Sequence, residues 1–150
     1  MTNELLLFLG CVVLAVVSGI LQITGFVEIQ GISLNLVLSS IVASALLLKS
    51  FWQYLLIVFF SVFILKFYPG WDKESLVLAA VFTAIFIVKR FLPWRYFINL
   101  FFLVFFGSLA IYVLIDFNYL ATNYYLVGIE VVYDALFAWI FYIGLRKLFY

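Results

Sequence analysis

The segment YYLVGIEVVYDALFAWIFYIGLRK, residues 124–147, decides the class of this protein. It is long and apolar enough to cross a bilayer, and yet it contains two carboxylates. We expect a final helix over about residues 124–145, closed by Arg146 and Lys147. Glu130 and Asp134 are four residues apart and therefore lie on one helical face. Counting back from Arg146 at about 1.5 Å per residue places Asp134 about 18 Å deep, near the middle of a hydrocarbon layer about 30 Å thick.

These two carboxylates predict that one face of the final helix packs against protein rather than lipid. A central Asp costs roughly 2.5–3.5 kcal/mol to insert, and the apolar residues of the same helix contribute roughly 3–5 kcal/mol, so the two effects nearly cancel. Ala138, one turn after Asp134, leaves room for a close neighbour. Two roles remain open for Asp134. It contacts a partner helix, or it is a protonated or hydrogen-bonded residue that only holds helices together.

The composition predicts an all-α, polytopic membrane protein with no soluble domain. Its 150 residues are 69% hydrophobic and 10% charged. Six spans of about 20 residues would use about 120 of these positions. We expect one integral membrane domain over residues 1–150, with spans at about residues 5–24, 32–48, 51–68, 75–92, 96–117 and 124–145. The fourth span is short, so a re-entrant hairpin of spans three and four is the alternative and would leave four crossings.

The basic residues predict the orientation of the bundle. Six of the eight lie in the loops after spans two and four or at the C-terminus: Lys49, Lys89, Arg90, Arg95, Arg146 and Lys147. The opposite side holds only Lys66 and Lys73, both beside acidic residues. The positive-inside rule therefore places both termini in the cytoplasm. The start of the chain lacks the basic region of a signal peptide, so we expect the first span to be retained.

The residue types also exclude several classes of function. The chain has no histidine and one cysteine, which removes His-based metal sites, Ser-His and Cys-His nucleophilic pairs and haem ligation by imidazole. A net charge of +1 without a basic stripe argues against a nucleic-acid partner. No phosphate-binding loop or G-x-S-x-G motif is present. We expect no cofactor, no metal, no small-molecule substrate and no enzymatic activity.

Leu21-Gln22 ends the first span, and GISLNL, residues 31–36, opens the second, where Asn35 is placed to cap backbone groups. This segment and the final helix together resemble the rod shape-determining protein MreD family of bacteria. In that family a Leu-Gln pair typically ends the first helix, and a Gly-x-x-Pro-Asn/Asp-Leu pattern opens the second. Here Leu34 stands where the family usually has Pro.

The final helix contributes the second part of the resemblance. In the MreD family this helix often carries an acidic residue and an Asn before a basic end. Glu130 and the Arg146-Lys147 end match this pattern, whereas Asp134 occupies the position of the Asn. The Gly- and Asp-rich third span that is typical of the family is missing.

The resemblance implies a non-catalytic membrane scaffold of the rod, or elongation, complex in the bacterial cytoplasmic (inner) membrane. Such a subunit supports cell-shape determination and lateral peptidoglycan synthesis. The implied partners, besides the lipid bilayer, are an MreC-like bitopic membrane protein and, through it, MreB and the cell-wall synthesis proteins. The residues expected at an interface with a partner or between helices are Asp134, Glu130, Ala138, Asn35 and Gln22.

A transporter subunit is the alternative. The substrate-specific components of energy-coupling-factor systems are also small, non-catalytic membrane proteins with six helices. This alternative requires a ligand cavity lined by polar groups from several helices, and few polar residues are expected inside the bundle. An intramembrane enzyme is a third class, but an aspartyl mechanism needs two facing carboxylates from different helices.

Overall fold

The computed structural model describes residues 2–29, 31–66 and 72–150, and this part of the chain is almost entirely helical. The predicted all-α class is confirmed, apart from one very short β-hairpin. The elements in chain order are α1 (Thr2–Ile23), β1 (Glu28–Ile29), β2 (Ile32–Ser33), α2 (Leu36–Leu47), α3 (Phe51–Leu65), α4 (Lys73–Val88), a 3-10 turn (Lys89–Phe91), α5 (Tyr96–Ile115), α6 (Phe117–Thr122) and α7 (Tyr124–Phe149).

Three of the described helices are long and apolar enough to cross a membrane. They are formed by Asn3–Ile23, Tyr96–Ile115 and Tyr124–Phe149, and they correspond to the first, fifth and sixth predicted spans. Helices α2 and α3 are apolar but have only 12 and 15 residues. At about 1.5 Å per residue they reach about 18 and 22 Å, which is less than the thickness of the hydrocarbon layer. Three of the six predicted spans are therefore long enough to cross a bilayer, which is compatible with a membrane protein.

The second predicted span begins too early, because its first residues form a β-hairpin instead of a helix. Glu28 pairs with Ser33 and Ile29 pairs with Ile32 in antiparallel register. Gly31 has a φ of 82°, a conformation that glycine adopts without the steric cost of a Cβ. The chain consequently enters α2 only at Leu36, and the helix is four residues shorter at its start than the sequence predicted.

Helix α2 is the centre of the fold. All of its residues except Leu46 are buried, and α1, α3, α4, α5 and α7 all contact it. It runs in the same direction as α7 and opposite to α1. At one end Asn35 contacts Asp134 of α7, and at the other the residues around Leu47 lie near Tyr142 and Arg146. Apolar residues occur all round this helix, and its only polar residues are three small serines, so it can be buried on every side.

Two groups of charged residues lie at opposite ends of the bundle. Lys49, Lys89, Arg90 and Arg146 line one cavity at the end where α2 and α7 terminate. At the other end Lys66 forms ion pairs with Asp72, at 3.5 Å, and with Glu74.

Asp72 is also the N-cap residue of α4. Its carboxylate accepts hydrogen bonds from the hydroxyl of Ser75, at 2.6 Å, and from the N–H of Ser75, at 2.8 Å. The bond from the hydroxyl is the largest of the effects that lower the pKa of this carboxyl, and the N–H of Ser75 and the cation of Lys66 lower it further. Residues 67–71, which include the predicted Pro69-Gly70 turn, lie outside the described part of the chain.

The last three predicted spans also differ from the structure at their ends. The fifth helix stops at Ile115 rather than near residue 117, because Asp116 caps a separate short helix, α6, by accepting a hydrogen bond from the N–H of Tyr119 at 3.0 Å. The 16-residue α4 ends at Val88, and the predicted extension to residue 92 is a 3-10 turn. Helix α7 continues to Phe149, four residues beyond its predicted end.

Candidate functional site: a polar cluster at the start of helix α2

The start of α2 presents backbone N–H groups that have no partner within the helix, as every helix start does. Three side chains from different parts of the chain accept hydrogen bonds from these groups. Asp134 Oδ1 accepts from the N–H of Asn35 at 2.9 Å, and Gln22 Oε1 accepts from the N–H of Val37 at 3.0 Å. Asn35 Oδ1 accepts from the N–H of Leu38 at 3.0 Å, which is the usual N-cap geometry. Helices α1, α2 and α7 are thus joined at one point.

Asp134 is completely buried, with 0% of its surface exposed. Besides the bond from Asn35, the backbone carbonyl of Asp134 accepts a hydrogen bond from the hydroxyl of Ser39 at 2.8 Å. A carboxylate at the start of a helix is also favoured by the helix dipole. Of the two roles left open by the sequence, this geometry fits the internal one, because the neighbour of Asp134 is a helix of the same chain.

Glu130 lies one turn of α7 before Asp134 and is 7% exposed. Its carboxylate accepts a hydrogen bond from the hydroxyl of Tyr112 in α5. The ring of Tyr112 stacks on that of Tyr119 in α6, with a centroid distance of 5.7 Å. This contact extends the cluster to α5 and α6, and it satisfies a carboxylate that would otherwise be buried without a partner.

A cavity of about 300 Å³ lies between these helices. Its lining residues are Gln22, Ser33, Leu34, Asn35, Ser108, Ile111, Tyr112 and Glu130. Two buried oxygens nearby, Oγ of Ser108 and Oδ2 of Asp134, have no hydrogen-bond partner within the described part of the chain. The cavity is therefore polar, bounded by α1, β2, α5 and α7, and it offers several acceptors to a small molecule or to water.

Four of the five residues that the sequence indicated meet in this cluster. Gln22, Asn35, Glu130 and Asp134 lie together, whereas Ala138 is one turn further along α7 and is fully buried. Because Asp134 and Ala138 have no exposed surface, neither residue can contact another protein while the helices keep these positions.

The sequence reasoning missed Tyr112, Ser39 and Ser108. The sequence could have indicated Ser39, because it follows Asn35 by four residues and so lies on the same face of α2. Tyr112 had none, because α5 is rich in aromatic residues and nothing in the sequence distinguishes this one.

The contacts within the cluster are hydrogen bonds. Among the described residues there is no group of three or more Cys, Asp or Glu side chains that could hold a metal ion. Glu130 and Asp134 come from the same helix, so they do not provide the facing carboxylates of an aspartyl mechanism.

The fold and the site together define an almost entirely helical protein with three helices long and apolar enough to cross a membrane, and with a buried polar cluster that joins its helices. Comparison with protein-family models, with curated proteins and with solved structures finds no match.

Proposed function

We propose that this chain is a non-catalytic scaffold of the rod, or elongation, complex in the bacterial cytoplasmic membrane, of the MreD type. One observation carries the proposal. The two segments that resemble that family, residues 21–36 and the last helix, are far apart in the sequence, yet they meet at the polar cluster. Gln22 of the first segment accepts a hydrogen bond from the N–H of Val37, and Asn35 donates its N–H to Asp134 of the last helix, the residue at the position where the family usually has Asn.

In this proposal all six of the larger helices cross the membrane. They alternate in direction, since the ends of α2, α4 and α7 lie together in one basic cavity and the start of α4 lies beside the end of α3. Helices α3 and α4 are short, so the bilayer is locally thinner around them or the flanking residues lie within it, whereas α2 is enclosed by the other helices. The predominance of basic residues at one end supports cytoplasmic termini.

The polar cluster has an internal role in the proposed scaffold. It holds α1, α2 and α7 in register, and the bitopic MreC-like partner packs its transmembrane helix on an outward apolar face. Helix α3 offers one such face, with Trp52, Leu56 and Phe63 at least half exposed. Contacts between lipid-facing helices depend on close packing, because lipid tails are as apolar as the side chains.

Affinity purification from native membranes tests the proposed function. A tagged copy is expressed in a rod-shaped bacterium, and the proteins recovered in mild detergent are identified by mass spectrometry. We expect an MreC-like bitopic protein and cell-wall synthesis proteins, and we expect cells depleted of the chain to widen or become round. Recovery of an ATPase-coupled transporter module with no change in cell shape would contradict the scaffold.

The polar cavity favours a second candidate function, a small substrate-binding subunit of a transporter. The transporter alternative requires a cavity lined by polar groups from several helices, and the cavity of about 300 Å³ has this character. Its volume is at the lower end of the range for ligand sites, about 300 to 1,000 Å³. The same purification separates the two candidates, because only the transporter subunit would bring an ATPase-coupled module with it.

A further inference from the structure

A second cavity, of about 510 Å³, lies at the opposite end of α2 and is lined by positively charged side chains. Four cations from three separate segments reach it, and no acidic side chain is among the described lining residues. The basic lining residues are Lys49, Lys89, Arg90 and Arg146. Lys49, the Lys89-Arg90 pair and Arg146 are far apart in the sequence, so the fold brings them together.

One of these four cations, Lys89, already has hydrogen-bond partners within the chain. Lys89 Nζ donates to the carbonyl oxygen of Leu48 at 2.7 Å and to that of Ala45, both at the end of α2. It also lies 3.7 Å from the ring centroid of Phe86. A cation at a helix C-terminus is favoured by the helix dipole. Lys89 therefore caps the C-terminus of α2 and also lines the cavity.

Arg90 lies 5.4 Å from the ring centroid of Phe86, and Arg146 contacts the hydroxyl of Tyr142. Neither contact neutralises the charge of the arginine, so Arg90, Arg146 and Lys49 can still bind an anionic ligand. Within the described residues, Lys49, Arg90 and Arg146 make no salt bridge, because both ion pairs belong to Lys66 at the far end of the bundle. Their side chains are largely exposed at the cavity. Arg side chains bind phosphate groups with two parallel hydrogen bonds, and Lys binds them as a point charge.

The remaining walls of the cavity combine apolar and aromatic surface. Leu46, Leu48 and Phe86 line it, and Tyr96 stacks on Tyr142 beside it with a centroid distance of 5.8 Å. Tyrosine is enriched at the headgroup level of membranes. A soluble anion needs only the charges, whereas a lipid also needs an apolar surface for the first part of its acyl chains.

We propose that this cavity binds the phosphodiester headgroup of an anionic phospholipid, with Arg90 and Arg146 as the main phosphate contacts and Lys49 as the third cation. Basic pockets between membrane helices on the cytoplasmic side are known to hold such headgroups. The assignment to the cytoplasmic leaflet rests on the orientation in the proposed function. The binding chemistry does not depend on it.

Lipid binding to the purified full chain tests this proposal. The chain is reconstituted in nanodiscs of phosphatidylcholine with increasing fractions of phosphatidylglycerol, and retained lipids are counted by native mass spectrometry. The test variant is Arg90→Gln/Arg146→Gln. The matched control, Arg95→Gln/Lys147→Gln, removes the same charge from the same end of the bundle but at residues that do not line the cavity.

The wild type should retain phosphatidylglycerol in preference to phosphatidylcholine. The Arg90→Gln/Arg146→Gln variant should bind it about tenfold or more weakly, and the control variant should lose no more than about threefold, as a nearby basic residue outside the site contributes only through the surface potential. Thermal unfolding in detergent without lipid confirms that both variants are folded.

Three results would overturn the proposal. The first is an equal loss of phosphatidylglycerol affinity in the two variants, and the second is no preference of the wild type for phosphatidylglycerol over phosphatidylcholine. The third is competition by millimolar inorganic phosphate or glycerol phosphate, which would indicate a site for soluble anions. Because these measurements use the purified chain, they remain interpretable if the affinity purification finds no wall-synthesis partner.

Discussion

At the scale of single residues, Asp134 contacts α2 through both its side chain and its backbone. Oδ1 accepts from the N–H of Asn35, and the carbonyl oxygen accepts from Ser39. Its other carboxylate oxygen has no partner in the described part of the chain. The side chain therefore needs one good acceptor at this position, and it does not need the full charge of a carboxylate to keep the contact with α2.

We predict that Asp134→Asn is tolerated and that Asp134→Leu destabilises the fold. The amide keeps an acceptor for the N–H of Asn35. The leucine leaves that donor buried and unsatisfied, which costs about 1–3 kcal/mol. Thermal unfolding in detergent measures both variants against the wild type. Equal stability of the leucine variant would mean that the bond to Asn35 is incidental.

Asn35 supports a second prediction at this scale. Asn35→Ala removes the acceptor for the N–H of Leu38, and the loss of an N-cap costs about 0.5–2 kcal/mol. Asn35→Ser keeps a cap and should retain most of the stability. Asn118→Ala, at an exposed residue, is the control and should change stability by less than about 0.5 kcal/mol. A similar loss at both Asn positions would contradict the capping role.

At the scale of the elements, α1 packs closely against α3 at Gly19. Cys11 and Ala15 are fully buried on one face of α1, and Gly19 continues that face. A Cβ added at Gly19 would lie 2.6 Å from Cγ2 of Ile64 in α3, which is inside van der Waals contact. The two helices can approach this closely only because Gly19 has no side chain.

We predict that Gly19→Ala destabilises the protein by about 1–3 kcal/mol, because Ile64 or the α3 backbone must move. Gly128→Ala in α7 is the matched control, as no atom would lie within 4 Å of its new Cβ. The control should be neutral or slightly stabilising, since Ala has a higher helix propensity than Gly. Thermal unfolding of both variants decides the point. An unchanged Gly19→Ala variant would show that α1 and α3 are not held this closely.

At the scale of the whole molecule, the alternation of helices and the separation of charges lead to one arrangement in the membrane. The basic cavity and the ends of α2 and α7 lie together, and the ion pairs of Lys66 lie at the other end. This division agrees with the distribution of charge along the sequence. It predicts cytoplasmic termini and an outward-facing β-hairpin.

Cysteine labelling in intact cells tests this topology. Cys11 is replaced by Ala, and single cysteines are placed at Glu28, Asn123 and Tyr150. An impermeant maleimide should label the first two positions in intact cells and the third only after lysis. Labelling of Tyr150→Cys before lysis would reverse the orientation and would place the basic cavity in the outer leaflet.

The sequence alone predicted a helical fold with helices apolar enough to cross a membrane, and it predicted that most basic residues lie at one end. Long apolar runs favour membrane helices because a helix satisfies its own backbone hydrogen bonds and apolar side chains favour insertion into lipid, and both effects depend on local composition. The same reasoning placed Glu130 and Asp134 on a protein-facing side of the last helix, since burying carboxylates in lipid is costly. Gln22 and Asn35 also emerged from the sequence, as polar residues at the ends of apolar runs.

Only the tertiary structure decided which neighbours these residues have. In the structure α2 begins only at Leu36, and Asp134 accepts a hydrogen bond at that start. Tyr112 donates a hydrogen bond to Glu130. Asn35 and Asp134 are 99 residues apart in the chain. Their contact depends on how each helix is rotated and shifted along its axis, which apolar runs without periodicity do not encode. Close packing and the need to satisfy buried polar groups select that arrangement, and both act only once the helices are together.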